Sequence, residues 1–131
     1  MNVAKACILN IHRGIAPKYC GGSVELWAFY NKDFENLGVT LHKCTDKLDA
    51  GDIAGQEYYK LQKDDRIYTL RYKTTLVALE VLKKTLDRFS KGEVTYKQQG
   101  PGNMWRSRDM TVIKKIVSRK NLNKFLKKTT I

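Results

Sequence analysis

Between Ile67 and Phe89 the residues Leu70, Thr74, Val77, Ala78, Val81, Leu82 and Leu86 recur at three- and four-residue steps. That period predicts one long amphipathic helix, capped by Asp64 and Asp65 and running to about Ser90. Arg71, Lys73, Lys83, Lys84 and Asp87 fall on its outer face, and Gly92 is placed to stop it. Burying the inner stripe contributes roughly 1.5–3 kcal/mol per large side chain before entropy is counted. A helix this one-sided needs a surface to lie on, and the preceding residues offer strands. Ala6–Ile11 is a short apolar run that fits a buried strand. Gly38 opens a second strand to Cys44, and Ile53–Leu61 reads as a third. The first two strands are separated by a Gly/Pro-rich loop, His12–Ser23, and a helix from Val24 to about Asn31 with Ser23 as its cap. The result is an α/β chain: a short mixed sheet flanked by helices, one of them long.

Residues 93–108 read as irregular, with a turn forced at Gly100-Pro101-Gly102, and Asp109 caps a short helix over Met110–Val117. The chain has 131 residues and a formal charge of +12, and 42% of its residues are apolar. That suits one packed core and excludes wholesale disorder. The charge is uneven: residues 103–131 carry nine Lys/Arg and one acid, net +8, against net +4 for the first 102. We therefore read a body over 1–102 and a basic extension over 103–131. No RNP-like sheet motif, helix-turn-helix signature or zinc spacing accompanies the charge, which ranks a dedicated nucleic-acid domain last. No run approaches the ~20 apolar residues of a membrane span, and no secretory signal is visible. Cys7, Cys20 and Cys44 are odd in number and lack CxxC spacing, so no disulfide scaffold is expected and a cytoplasmic setting is.

Three polar features stand out. Asn10 and His12 share a face at the carboxyl end of the first strand, the usual ligand-binding end of an open α/β sheet. The loop Thr45-Asp46-Lys47-Leu48-Asp49-Ala50-Gly51-Asp52 joins the second and third strands, and His42 is the only other histidine. An amide donor and an imidazole together stabilise an oxyanion, and a carboxylate can orient the ring or accept a proton from an attacking amine. These residues thus suggest carbonyl transfer. Taken alone, Asn-Ile-His is more often structural, and the acidic loop reads equally as a solvated turn or a weak divalent-metal site.

The two runs ILNIHRGIAPKYCGG and GVTLHKCTDKLDAGDI, in this order, resemble the folate-dependent formyltransferases. That family includes methionyl-tRNA, glycinamide ribonucleotide and sugar-amine N-formyltransferases. The matching residues are Asn10, His12, Pro17, Tyr19, Gly21, Gly38, Val39, Thr40, His42, Leu48, Asp49, Gly51 and Asp52. The resemblance spans about residues 7 to 92 and implies the C-terminal half of a Rossmann-like formyltransferase domain. It implies 10-formyltetrahydrofolate as formyl donor, a primary amine as acceptor, and no metal. Asn10 would bond the formyl oxygen, and His12 would stabilise or protonate the oxyanion. Asp49 would set the state of His12 and help remove the amine proton. Thr45, Asp46, Lys47, Leu48 and Asp49 would lie against the pterin, with His42 supporting the site. Arg13-Gly14 departs from the family's usual wording. Arg13 either selects an anionic acceptor or is a solvated loop arginine. Cys20 stands where an arginine is common.

For the acceptor, the Trp105 segment and its basic helix resemble the extensions of sugar-modifying relatives. That favours an amino-sugar nucleotide over methionyl-tRNA. With the family's preceding half outside this sequence, the first strand's open edge leads us to expect a homo-oligomer or a separate chain supplying that half. The alternative is an inactive or split fragment serving as a binding or oligomerisation module.

Overall fold

The computed structural model describes residues 7–129. In chain order it has β1 (Leu9–His12), β2 (Cys20–Gly21), α1 (Val24–Tyr30), β3 (Gly38–Lys43), β4 (Ile53–Tyr58), α2 (Ile67–Ser90), β5 (Met104–Trp105) and α3 (Val112–Lys128). The main sheet has the order β1-β3-β4, antiparallel throughout, and a small parallel pair joins β2 to β5. The α/β architecture, with a short sheet, flanking helices and one long helix, is the expected one.

The sheet has an apolar face and a polar face. Period-2 alternation in β1 sends Leu9 and Ile11 one way and Asn10 and His12 the other. In register, Ile11 sits opposite Leu41, Asn10 opposite His42 and His12 opposite Thr40. α2 covers the apolar side: Leu41, Ala54 and Val81 form a buried cluster with Leu9, Val77, Leu82, Phe89 and Tyr96 packed on it. The stripe of α2 that reaches the interior is Leu70, Thr74, Ala78, Val81 and Thr85. Leu86 lies off that line and is exposed, because the sheet beneath α2 is three strands wide and cannot cover a broader arc. A second core gathers Tyr19, Trp27, Phe29, Leu70, Leu122 and Leu126, where α3 packs across α1.

Several boundaries differ from the sequence reading. β1 begins at Leu9, and Ala6 falls outside the described residues. β4 ends at Tyr58, three residues short of Leu61. α2 starts at Ile67 with Arg66 as its cap, so Asp64 and Asp65 do not cap it. Asp65 is instead wholly buried and accepts from Gln62 N–H, Tyr59 Oη–H and Lys73 Nζ–H, fastening the approach to the helix. Ser23 precedes α1 in the left-handed region, and its hydroxyl pairs with Ser107 Oγ at 3.0 Å rather than capping the helix. The stretch before the tail is not wholly irregular: Met104–Trp105 forms β5, and Trp105 stacks on Tyr19 and leans on Trp27. α3 starts at Val112, capped by Thr111 rather than Asp109, and runs to Lys128, well past Val117.

Candidate active site

The polar face of the sheet carries Asn10 and His12 on β1 and Thr40 and His42 on β3. Thr40 is the hub of the loop that follows β1. Its hydroxyl donates to Gly14 O at 2.7 Å, and it accepts from Ala16 N–H at 3.1 Å and Gln56 Nε2–H at 2.8 Å. Gln56 also donates to Ala16 O at 2.9 Å. The loop is thus pinned to the sheet through one fully buried hydroxyl. The pinning folds the chain back over His12, whose ring lies so close to Gly14 that a Cβ there would sit 2.4 Å from Nε2.

The loop between β3 and β4 brings Asp49 onto the same face. A β-bulge at Ala54, between the pairs Leu41–Gly55 and His42–Ile53, re-aims the strand next to this loop. Gly51 passes so near β3 that a Cβ would stand 1.8 Å from Lys43 O. Asp49 itself adopts φ 53, a left-handed conformation that costs a non-glycine residue about 1–3 kcal/mol. Hydrogen bonds and two flanking imidazoles hold it there. Gly21 N–H donates to Oδ2 at 2.9 Å, and Gln99 Nε2–H donates to its carbonyl at 2.9 Å. His12 Nδ1 stands 3.3 Å from Oδ2, and His42 Nε2 stands 3.3 Å from Oδ1.

Asp49, 6% exposed, is therefore clamped between two imidazoles that are themselves 7% and 2% exposed. Each ring is tied to a backbone carbonyl by its other nitrogen. His12 Nε2–H donates to Tyr19 O at 2.7 Å, and His42 Nδ1–H donates to Lys43 O at 2.8 Å. With those hydrogens committed, His12 Nδ1 bonds Asp49 only when a further proton lies between them. Asn10, exposed on the edge of the group, points Nδ2 at His42 Nε2 across 3.3 Å. Asn10, His42, Asp49 and His12 stand in a row, each 3.3 Å from the next, and they combine an amide donor, two imidazoles and a carboxylate.

Thr45, Asp46, Lys47 and Leu48 form the exposed approach to Asp49, with Thr45 Oγ1–H donating to Lys47 O at 2.9 Å. Leu48 borders a groove of about 540 Å3 that also involves Gly21, Trp105, Arg106 and Arg108. Gly14 is buried beneath the site, and Arg13 is half-buried with Nη1–H reaching Arg71 O at 3.5 Å. Sequence reading missed Thr40's role, Gln56, Gln99 and a third carboxylate, Glu25. Burial pushes the Glu25 carboxyl above its usual range, against the pull of Arg13, Arg71 and His12. No cluster of three or more His, Cys, Asp or Glu among the described residues is arranged to hold a metal ion.

The chain as a whole is similar to known proteins. A family model described as formyl transferase matches residues 1–86. Methionyl-tRNA formyltransferase of Lactobacillus acidophilus is 34% identical over 103 residues, covering 79% of this chain and 32% of that protein. The Lactobacillus gasseri enzyme of the same name is 37% identical over 92 residues, covering 70% of this chain and 29% of that one. The chain thus spans about a third of the length of these relatives. Among solved structures, an N-formyltransferase from Helicobacter canadensis, in complex with folinic acid and dTDP-3-aminofucose, superposes with a TM-score of 0.73 at 20% identity. The match covers 88% of this chain and 47% of that one. The formyltransferase PseJ from Anoxybacillus kamchatkensis gives 0.68 at 23% identity, covering 78% of this chain and 53% of that one. At such identities the structural matches speak for the fold.

Proposed function

The chain belongs to the formyl transferase family, and from that premise we propose that it moves a formyl group from 10-formyltetrahydrofolate to a primary amine. The observation that carries this reading is Asp49 clamped between His12 and His42, with Asn10 joined to the same group. The amine attacks the formyl carbon, forming the new C–N bond and a tetrahedral oxyanion. Asn10 donates its free Nδ2–H to that oxygen. His12, on the far side of Asp49, stabilises the charge as it develops. Asp49 accepts the amine proton, directly or through a water. Collapse breaks the bond to the donor's N10, which takes up a proton, giving the formamide and tetrahydrofolate. The Helicobacter protein was solved with folinic acid and the Anoxybacillus protein with tetrahydrofolate, which supports a folate donor. Thr45–Asp49 is the segment we assign to the pterin, and the Leu48–Trp105 groove adjoins it.

The acceptor we propose is an amino-sugar nucleotide or methionyl-tRNA. Both carry phosphate, and Arg13 and Arg106 flank the site to meet it. The test is release of tetrahydrofolate from 10-formyltetrahydrofolate in the presence of each amine. His12→Ala and Asp49→Asn should each lower the rate by about 10²–10⁴-fold, and retention of turnover in both variants would remove these roles.

A second reading rests on β1. Its neighbour is β3 on one side only among the described residues, and Ile8 and Ile11 beside it are exposed. An open apolar edge favours a chain that works by pairing with another, as one part of a split or oligomeric formyltransferase or as an inactive module.

A further inference from the structure

α3 carries Lys114, Lys115, Arg119, Lys120, Lys124, Lys127 and Lys128 and no acid. From Arg119 onward its exposed residues are Arg119, Lys120, Asn123, Lys124, Lys127 and Lys128. Six cations elsewhere, Lys18, Lys43, Lys73, Lys84, Lys91 and Arg108, sit in ion pairs, and none of the ion pairs among the described residues involves α3. The spacing makes matters worse for an isolated helix. Lys115–Arg119, Lys120–Lys124 and Lys124–Lys128 are all i,i+4 pairs of like charge, which repel. A polyanion laid along this face would relieve that repulsion.

The charge also has a shape. Three adjoining hollows line the junction of α3 with the start of α2. One of about 340 Å3 is bordered by Lys63, Arg66, Asn123 and Lys127. A second, about 410 Å3, is bordered by Lys120, Lys124, Lys127 and Lys128. A third, about 290 Å3, is bordered by Arg66, Tyr68 and Arg119. Asn123 is common to all three, so they form one surface. Tyr68 is 78% exposed there, and Tyr72 follows one turn along α2 at 67%. Arg71 lies between them in sequence, and its carbonyl receives Arg13 Nη1–H, next to His12. Basic and aromatic groups therefore run from α3 along the start of α2 to Arg71, which Arg13, the residue after His12, contacts.

We propose that this face, formed by α3 with Lys63, Arg66 and Tyr68, binds the phosphate backbone of a single-stranded polynucleotide. Cations spaced along a groove track phosphates without reading sequence, and exposed tyrosines stack unpaired bases. An anionic membrane fits less well. A helix lying on lipid must bury an apolar face, and over 119–128 the apolar side of α3, Leu122 and Leu126, is already packed on α1. The surface stands apart from formyl transfer, and its test does not depend on turnover.

The test is fluorescence anisotropy of a labelled 12-nucleotide oligouridine RNA with the full chain, titrated over a range of salt. The triple variant Lys120→Glu/Lys124→Glu/Lys127→Glu should bind at least about tenfold more weakly. Its slope of log affinity on log salt should be shallower by about 2, at about 0.7 per phosphate contact. The triple Lys83→Glu/Lys91→Glu/Lys97→Glu changes net charge equally at exposed sites in the second half of α2 and just beyond it, away from this face. It should stay within roughly threefold of the parent, since charges beyond a Debye length are screened. Tyr68→Ala should lower affinity while leaving the salt slope unchanged. Circular dichroism establishes that each variant is folded. Formyl transfer to a small amine should persist in the α3 triple, which separates this proposal from the one above. Equal loss in both triples, or tighter binding to phosphatidylserine vesicles than to RNA, overturns it.

Discussion

His42 is the residue whose role the geometry sharpens most. Its Nε2 faces two partners at the same 3.3 Å, Asn10 Nδ2 and Asp49 Oδ1, while Nδ1–H is fixed on Lys43 O. A neutral ring accepts from Asn10 and orients the amide. A charged ring donates to Asp49 and leaves Asn10 free. In the proposed reaction His42 positions the two groups on either side of it without touching the formyl carbon. His42→Gln keeps a polar side chain there but cannot switch between the two partners. We expect kcat to fall by about tenfold to a hundredfold, at the low end of what a positioned proton-transfer group contributes, with the donor's KM little changed. In the folded parent, the ¹⁵N shifts of His42 should show the Nδ1–H tautomer, and the Asn10 side-chain amide should move in the variant. An unchanged Asn10 resonance would sink this role. Asn10, His12 and Asp49 were singled out in the sequence by a family resemblance, and the fold brings them together on one face. The roles of Thr40, Gln56 and Gln99 were not legible. Thr40 meets Gly14 across 26 residues and Gln99 meets Asp49 across 50, so contacts made only by folding define them.

Among the elements, α1 is only seven residues long, too short to hold itself, so its surroundings fix it. Asp33, just past its end, is the anchor. It takes Lys18 Nζ at 2.7 Å, Asn36 Nδ2–H at 2.7 Å and Tyr19 Oη–H at 3.1 Å. Burial alone would raise its carboxyl, but the hydrogen bonds from Lys18, Asn36 and Tyr19 outweigh it and the net displacement is downward. A carboxylate lowered on folding contributes stability that is complete above its unfolded pKa and disappears as pH falls through the folded one. Asp33→Asn should therefore cost about 1–3 kcal/mol near neutrality. The gap between parent and variant should close as pH is taken below about 4, the unfolded value for aspartate. Urea midpoints measured across that range decide it, and a gap independent of pH would show that the carboxylate's charge is not what matters. The long helix was readable from its period because one stripe meets one sheet. α3 was cut short in the sequence reading because Leu122 and Leu126 supply a thin apolar line among lysines. What α1 offers opposite that line appears only in three dimensions: Ser118 Oγ–H donates to Leu26 O and Asn121 Nδ2–H to Phe29 O.

For the molecule as a whole, the sheet is the controlling feature. Three strands are few, and β1 sits at the border with Asn10, half of the proposed oxyanion contact, exposed on it. Ile11, on the apolar side of that border, is 41% exposed, Ile8 just before β1 is 67% exposed, and Leu76 and Leu79 of α2 are exposed too. An edge of this kind offers unpaired backbone groups beside apolar surface, and both are satisfied together when another strand adds to it. The candidate site would gain as well. A neighbour along β1 would enclose Asn10 and exclude water from the Asn10–His42–Asp49 chain, where lower dielectric strengthens each hydrogen bond. Assembly and activity are therefore expected to rise together. Sedimentation of the full chain across a wide concentration range should show association, and specific activity should increase in step with it. Ile11→Lys places a charge on the edge without altering any residue of the polar face, so it should dissociate the assembly and lower activity while the circular dichroism spectrum is retained. Full activity from a monomer that stays monomeric at high concentration would mean that the three-stranded sheet suffices. The open edge would then be a tolerated border rather than a site of pairing.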